Sequence, residues 1–208
     1  MVTTDYSRAR RHLARRDPVL RDLMRSLGRC GLAEAQNADP FAALLKAIVS
    51  QQLSTKAART IYLRLMSLFD GVATPQQLSR LTDAQLRGVG LSSQKLRYMR
   101  DLGEKVQDGS LPLHDLDAMS DDEVIVALTQ VKGIGRWTAE MFLMFRLHRP
   151  DVLPVGDLGI VKAVQKAYGL RRTPTPDRLQ KIGEAWRPYR SVACWYLWRS
   201  LNNTPAAD

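Results

Sequence analysis

The sequence predicts an all-α chain, and three observations carry that expectation. No run alternates β-branched and polar residues for more than a few positions, so half-buried strands leave no signal. Apolar residues instead recur at helical spacing along the chain. Ser, Thr and Asp stand repeatedly just before those runs, several with Pro at the first helical position, where the missing N–H has no intrahelical partner to lose.

In order, Asp17-Pro18 opens an amphipathic stretch through Leu20, Leu23, Met24 and Leu27, closed by Gly28 and Gly31. Asp39-Pro40 opens a second, with Phe41, Leu44, Leu45, Ile48 and Val49 on one face. It stops near "SQQLS", and Ser54 or Thr55 caps a helix over 55–68. "TPQQL" at 74–78 and "TDAQL" at 82–86 read as short capped helices, and the next helix aligns Leu96, Met99, Leu102 and Val106. Ser120 and Glu123 form a capping box, in which each side chain satisfies the other residue's backbone N–H, at the start of a helix through Val131. A glycine turn precedes a helix from about Arg136 to Leu147. "RPDVLPVGD" is a loop, Asp157 stands at the start of a helix ending near Gly169, and "TPTPD" at 173–177 starts another. Pro188 separates that one from a last helix over 189–201. The first six residues and "NNTPAAD" are expected to fray. These are about ten short helices, with no low-complexity linker between them.

With 208 residues the chain is long enough for a real core, as one domain or two small lobes. Its formal net charge of +10 points to a polyanionic partner, with nucleic acid ahead of a membrane surface. The arginine excess suits phosphate contacts, although genome composition could also favour Arg over Lys. The two cysteines, Cys30 and Cys194, are too few for a four-thiolate iron–sulfur cluster or zinc finger. No secretory segment or membrane-spanning run is legible, so a reducing, cytoplasmic compartment is expected. His12, His114 and His148 lack ligand spacing and read as surface or structural residues.

"VKGIGRWTAE" at 131–140 carries the strongest local chemistry. Glycines at alternate positions of a turn, Gly133 and Gly135, let several backbone N–H groups face one way, and the following helix adds its positive N-terminus. Such a turn can hold a DNA phosphate without reading sequence. Lys132 and Arg136 flank it with positive charge. A plain helix connector with a glycine cap is the alternative reading.

"LTQVKGIGRWTAEMFL" resembles the helix-hairpin-helix of the DNA glycosylase superfamily that bears a Gly/Pro-rich loop and an aspartate. The resemblance extends to "AIVSQQLSTKAA" upstream and to "PVGDLGI" and "RPYRSVACWYLW" downstream, so it covers 40–200. Within it, the 3-methyladenine DNA glycosylase II subfamily looks most similar, here in a minimal form without the N-terminal β-rich domain of many bacterial members. The resemblance implies a single two-lobed helical unit over 1–208 with a central cleft. One lobe would span about 38–149, including the hairpin 131–136, and the other about 1–37 plus 150–208.

It also implies residue roles. Periodicity alone makes Asp157 a helix N-cap, whereas the family places its catalytic aspartate there. Breaking an N-glycosidic bond builds positive charge on the sugar, which a carboxylate stabilises while orienting or deprotonating the attacking water. The neighbouring Asp151 reads as a solvated loop residue. Trp137 stands where strand-nicking relatives carry a Schiff-base lysine, which implies base hydrolysis without lyase activity. Trp137 and Trp198 match pocket tryptophans whose indoles stack on a cationic alkylated base, although both could equally be core residues. Met141 stands where a relative has tyrosine, which leaves the lesion range open. Trp186 and Trp195 read as core. Gln52 matches the wedge that fills the gap left by a flipped base, with Leu53 as the fallback. The alternative for Gln51 and Gln52 is an ordinary polar loop.

The family hairpin binds a monovalent cation, Na+ or K+, through carbonyls that fall on Thr129, Val131 and Ile134 here. No catalytic cofactor is implied. The expected partner is double-stranded DNA containing alkylated bases. The chain is expected to act as a monomer, associated with the nucleoid if the source is bacterial. The function expected is a monofunctional glycosylase that removes bases of the 3-methyladenine and 7-methylguanine class. Two other readings remain at this point: a non-catalytic helix-hairpin-helix DNA-binding module, and a glycosylase of different lesion specificity, including a bifunctional one for oxidised bases.

Overall fold

A computed structural model describes residues 6–32 and 39–201. Among them the regular structure is helical throughout, with no strand. The chain divides into two units, one drawn from residues 1–36 and 143–208 and the other from 37–142.

The first unit contains α1 (Ser7–Arg16), α2 (Pro18–Leu27), α10 (Leu158–Ala167), α11 (Pro176–Gly183), a 3₁₀ turn (Glu184–Trp186) and α12 (Arg190–Ser200). α12 is its centre: every residue from Ser191 to Trp198 is buried. A helix that is apolar on all sides needs neighbours on all sides, and α1, α2 and α10 pack against it. Burying each large apolar side chain contributes about 1.5–3 kcal/mol, and Trp186, Tyr196 and Leu197 are fully enclosed. Trp186 and Trp195 are core, as the sequence predicts. Asp17 caps α2 through the N–H groups of Val19 and Leu20. The same carboxylate accepts from the indole of Trp186 at 2.9 Å and from the hydroxyl of Tyr168, which ties the start of α2 to the 3₁₀ turn and the end of α10. Burial and the neighbouring Asp17 carboxylate raise the Tyr168 hydroxyl far above the ordinary tyrosine range.

α1 is an element the sequence reading does not contain. Its ten residues include five arginines and bury only Ala9 and Leu13, one turn apart. Two apolar contacts give too narrow a stripe for periodicity to register.

The second unit contains α3 (Pro40–Ser50), α4 (Thr55–Met66), α5 (Pro75–Arg80), α6 (Asp83–Gly88), α7 (Ser93–Gln107) and α8 (Asp121–Thr129). α9 (Arg136–Phe145) begins in this unit and runs past its boundary at residue 142. α3 buries Phe41, Leu44, Leu45, Ile48 and Val49, the face read from the sequence. α7 is the organiser here, packed against α3, α5 and α6. The capping box of Ser120 and Glu123 is formed at the start of α8, and an equivalent box of Thr82 and Gln85 starts α6. Among the described residues no helix is long and apolar enough to cross a membrane.

Candidate active site and nucleic-acid interface

The loop that delivers Asp157 is stitched to the start of α12. Ser191 is fully buried and bonds the loop twice: its hydroxyl donates to the Arg149 carbonyl at 2.6 Å and accepts from the Val152 N–H at 3.0 Å. The Ser191 N–H donates to the Pro150 carbonyl. Asp151 is gripped by Arg187 at 2.7 Å and by Arg190 at 2.7 Å, and Arg190 also donates to the Asp151 carbonyl. The expectation that Asp151 is a solvated loop carboxylate is therefore corrected: it anchors the loop through two arginines. The reason is tertiary, because both partners lie 36 or more residues further along the chain.

At the end of this anchored loop Asp157 caps α10, accepting from the Ile160 N–H at 2.6 Å. The N-cap that periodicity predicts at Asp157 is formed. The same oxygen, Oδ1, also accepts from Nε1 of Trp198 at 2.8 Å. Two N–H donors from two helices thus fix the carboxylate's orientation. Trp198 is 2 % exposed, and its ring stacks on Phe145 at 5.9 Å with a 29° interplanar angle.

Gly159 makes this arrangement possible. A Cβ there would lie 2.9 Å from Asp157 Oδ1 and 3.0 Å from Trp198 Cδ1. Sequence reading missed Gly159, Phe145 and Ser191. Only Gly159 left a signal, since a glycine in a helix costs about 1 kcal/mol relative to alanine and asks for a packing reason.

The hairpin lies in the second unit. α8 ends at Thr129, the Val131 N–H donates to Leu128 and the Ile134 N–H to Val131, and α9 starts at Arg136. Gly133 has φ +82°, the left-handed region that glycine enters without steric cost. The ring of Tyr98 lies directly beneath it, 2.2 Å from where a Cβ would stand. Gly135 differs, because a Cβ there would meet open space. Among the described residues the N–H groups of Gly133 and Gly135 donate to no backbone carbonyl. Lys132 is tethered: its N–H donates to Asp101 at 2.8 Å and its exposed ammonium lies 3.2 Å from the same carboxylate, which Lys105 also contacts. Burial would raise the Asp101 carboxyl, but the Lys132 N–H and the two lysines outweigh it and hold it below the usual range. Arg136 pairs with the buried Glu140 at 3.0 Å on α9.

Trp137 is 49 % exposed on the first turn of α9, and Met141, one turn on, is half-buried. Gln52 and Leu53 are both exposed in the turn between α3 and α4, and Gln52 has φ +57°. The structure therefore brings Asp157 together with Trp198 in one unit. It places Lys132, Gly133, Gly135, Arg136, Trp137, Met141 and the Gln52 turn in the other. Among the described residues no three His, Cys, Asp or Glu side chains gather as a metal-binding set.

Residues 45–188 match the model of the HhH-GPD superfamily, base excision DNA repair proteins. The chain belongs to this family. It is 32 % identical over 203 residues to DNA-3-methyladenine glycosylase 1 of Schizosaccharomyces pombe, covering 96 % of this chain and 89 % of that protein. The structure of a Schizosaccharomyces pombe 3-methyladenine DNA glycosylase in complex with abasic DNA is similar with a TM-score of 0.82 at 32 % identity, covering 94 % of this chain and 97 % of that one. A DNA-3-methyladenine glycosidase from Bacillus halodurans is similar with a TM-score of 0.81 at 39 % identity, covering 93 % of this chain and 89 % of that one. The all-α helix-hairpin-helix glycosylase fold expected from the sequence is the fold found.

Proposed function

We propose that this member of the HhH-GPD superfamily is a monofunctional DNA glycosylase, of the 3-methyladenine DNA glycosylase II type, that flips alkylated bases from double-stranded DNA and hydrolyses their N-glycosidic bond. The observation that carries the reading is the Asp157 carboxylate, held by the Ile160 N–H and the Trp198 indole. A fixed carboxylate can stabilise positive charge as it develops on the sugar and orient the attacking water. Alkylated purines such as 3-methyladenine carry positive charge already, so they leave without a second protein acid.

The half-exposed Trp137 offers an indole face on which a cationic base stacks. It also occupies the position where a strand-nicking relative needs lysine, which favours hydrolysis alone. Gly133 and Gly135 present N–H groups to a phosphate, with Lys132 and Arg136 beside them, and Gln52 enters the space of the flipped base. The family's hairpin cation fits the donor chemistry of this chain. Thr129, Val131 and Ile134 offer carbonyl oxygens at a helix end, hard ligands suited to Na+ or K+. The Val131 oxygen, which already accepts from Ile134, keeps a second lone pair.

The test is release of free methylpurine from alkylated duplex DNA by wild type and Asp157→Asn. Release by wild type and loss of about 10²-fold or more in the variant, on the scale of a single electrostatic catalytic group, supports the reading. Binding by both proteins with release by neither would leave a DNA-binding module.

A further inference from the structure

Three side chains on one face of α7, spaced three residues apart, reach two separate turns. Lys95 donates from Nζ to the Val49 carbonyl near the end of α3. Tyr98 lies beneath Gly133, and Asp101 accepts the Lys132 N–H. One bond then links the turns to each other: Gln51 Nε2 donates to the Gly133 carbonyl at 2.8 Å, across 82 residues of sequence. The next residue, Gln52, has φ +57°, a conformation that side-chain-bearing residues hold only where their surroundings impose it. The surroundings here are the Ser50 carbonyl, which accepts from the Leu53 N–H, the clasp of Lys95 on Val49, and the Gln51 amide on Gly133. The Gly133 peptide is pinned in turn at its N-terminal neighbour by Asp101, below by Tyr98 and at its oxygen by Gln51.

We propose that Gln51 is a positioning residue that registers the Gln52 turn against the hairpin, so that gripping a phosphate and filling the vacated base position are one rigid act. The inference rests on the roles given above to Gln52 and to the glycine turn. Gln51 touches neither base nor sugar in this scheme. Its amide transmits the position of one turn to the other, with α7 as the common support.

The experiment is single-turnover excision of 7-methylguanine at saturating enzyme from duplex and from single-stranded oligonucleotide, with binding of undamaged duplex followed against salt. Gln51→Met keeps the length and removes the donor. Gln51→Glu keeps the shape and turns the donor into an acceptor facing the carbonyl, and thermal melting reports that each variant is folded. Both should slow duplex excision about three- to tenfold, the range for one net hydrogen bond. In the uncharged Gln51→Met variant the single-strand rate and the salt slope should stay as in wild type, whereas the added charge of Gln51→Glu acts on binding by itself. Equal loss on duplex and single strand, or a flattened salt slope, in Gln51→Met would overturn the role. So would an unchanged duplex rate in both variants while Gln52→Ala is defective on duplex, an outcome that leaves the wedge standing. A Gln52→Ala variant with no duplex-specific loss removes the wedge itself, and this inference with it.

Discussion

Trp198 and Asp157 meet edge to carboxylate, with the indole N–H 2.8 Å from Oδ1. The tryptophan is buried and stacked on Phe145, so its position is rigid and it imposes that rigidity on the aspartate. Trp198→Phe keeps most of the packing and removes the donor. Losing a hydrogen bond to a charged group costs about 1.5–3 kcal/mol, or roughly 10- to 150-fold in rate if all of it falls on the transition state. We expect lower kcat in single-turnover excision with DNA affinity unchanged. A kcat equal to that of wild type would show that the N-cap bond alone orients Asp157.

Gly159→Ala should be more damaging than its size suggests. The added methyl would sit 2.9 Å from Asp157 Oδ1 and 3.0 Å from Trp198 Cδ1, so one of the two must move. Alanine favours the helix by about 1 kcal/mol, and thermal stability should change little, while excision falls at least tenfold. A variant as active as wild type would mean that the pair tolerates displacement.

Gly133→Ala separates the hairpin from the carboxylate. The methyl would drive into the Tyr98 ring at 2.2 Å, on a backbone already at φ +82°. If the turn holds a phosphate as proposed, DNA binding should weaken for all sequences alike, because a phosphate contact reads no sequence. Gly135→Ala meets open space and is expected to fold normally. Equal binding defects and equal losses of melting temperature in the two variants would contradict the distinction between the glycines.

Asp101 gives the hairpin a pH dependence. Burial would raise its carboxyl, but the Lys132 N–H and two lysines outweigh that and hold it below the usual aspartate range. A depressed carboxyl contributes stability that is present above its unfolded pKa and is lost as pH falls through the lower folded value. Asp101→Asn should therefore melt below wild type at neutral pH, and the gap should close only below about pH 4. A gap that is constant with pH would assign the effect to packing rather than charge.

Much of the fold was legible because its signals are local. Caps, prolines and the apolar stripe of α3 act within a few residues of where they are read, and the helices begin where those signals stand. α1 was not legible, since two buried residues make no periodic stripe. The sequence by itself determined the helical class, the basic charge, the turn at Gly133 and the acid at Asp157 with its cap. Only tertiary structure decided what holds them. Trp198 reaches Asp157 from 41 residues away, Gln51 reaches Gly133 from 82 and Arg190 reaches Asp151 from 39. The physical reason is that a hydrogen bond across such separations exists only after two helices have packed. Packing depends on the summed shape of many side chains, which no short stretch of sequence contains.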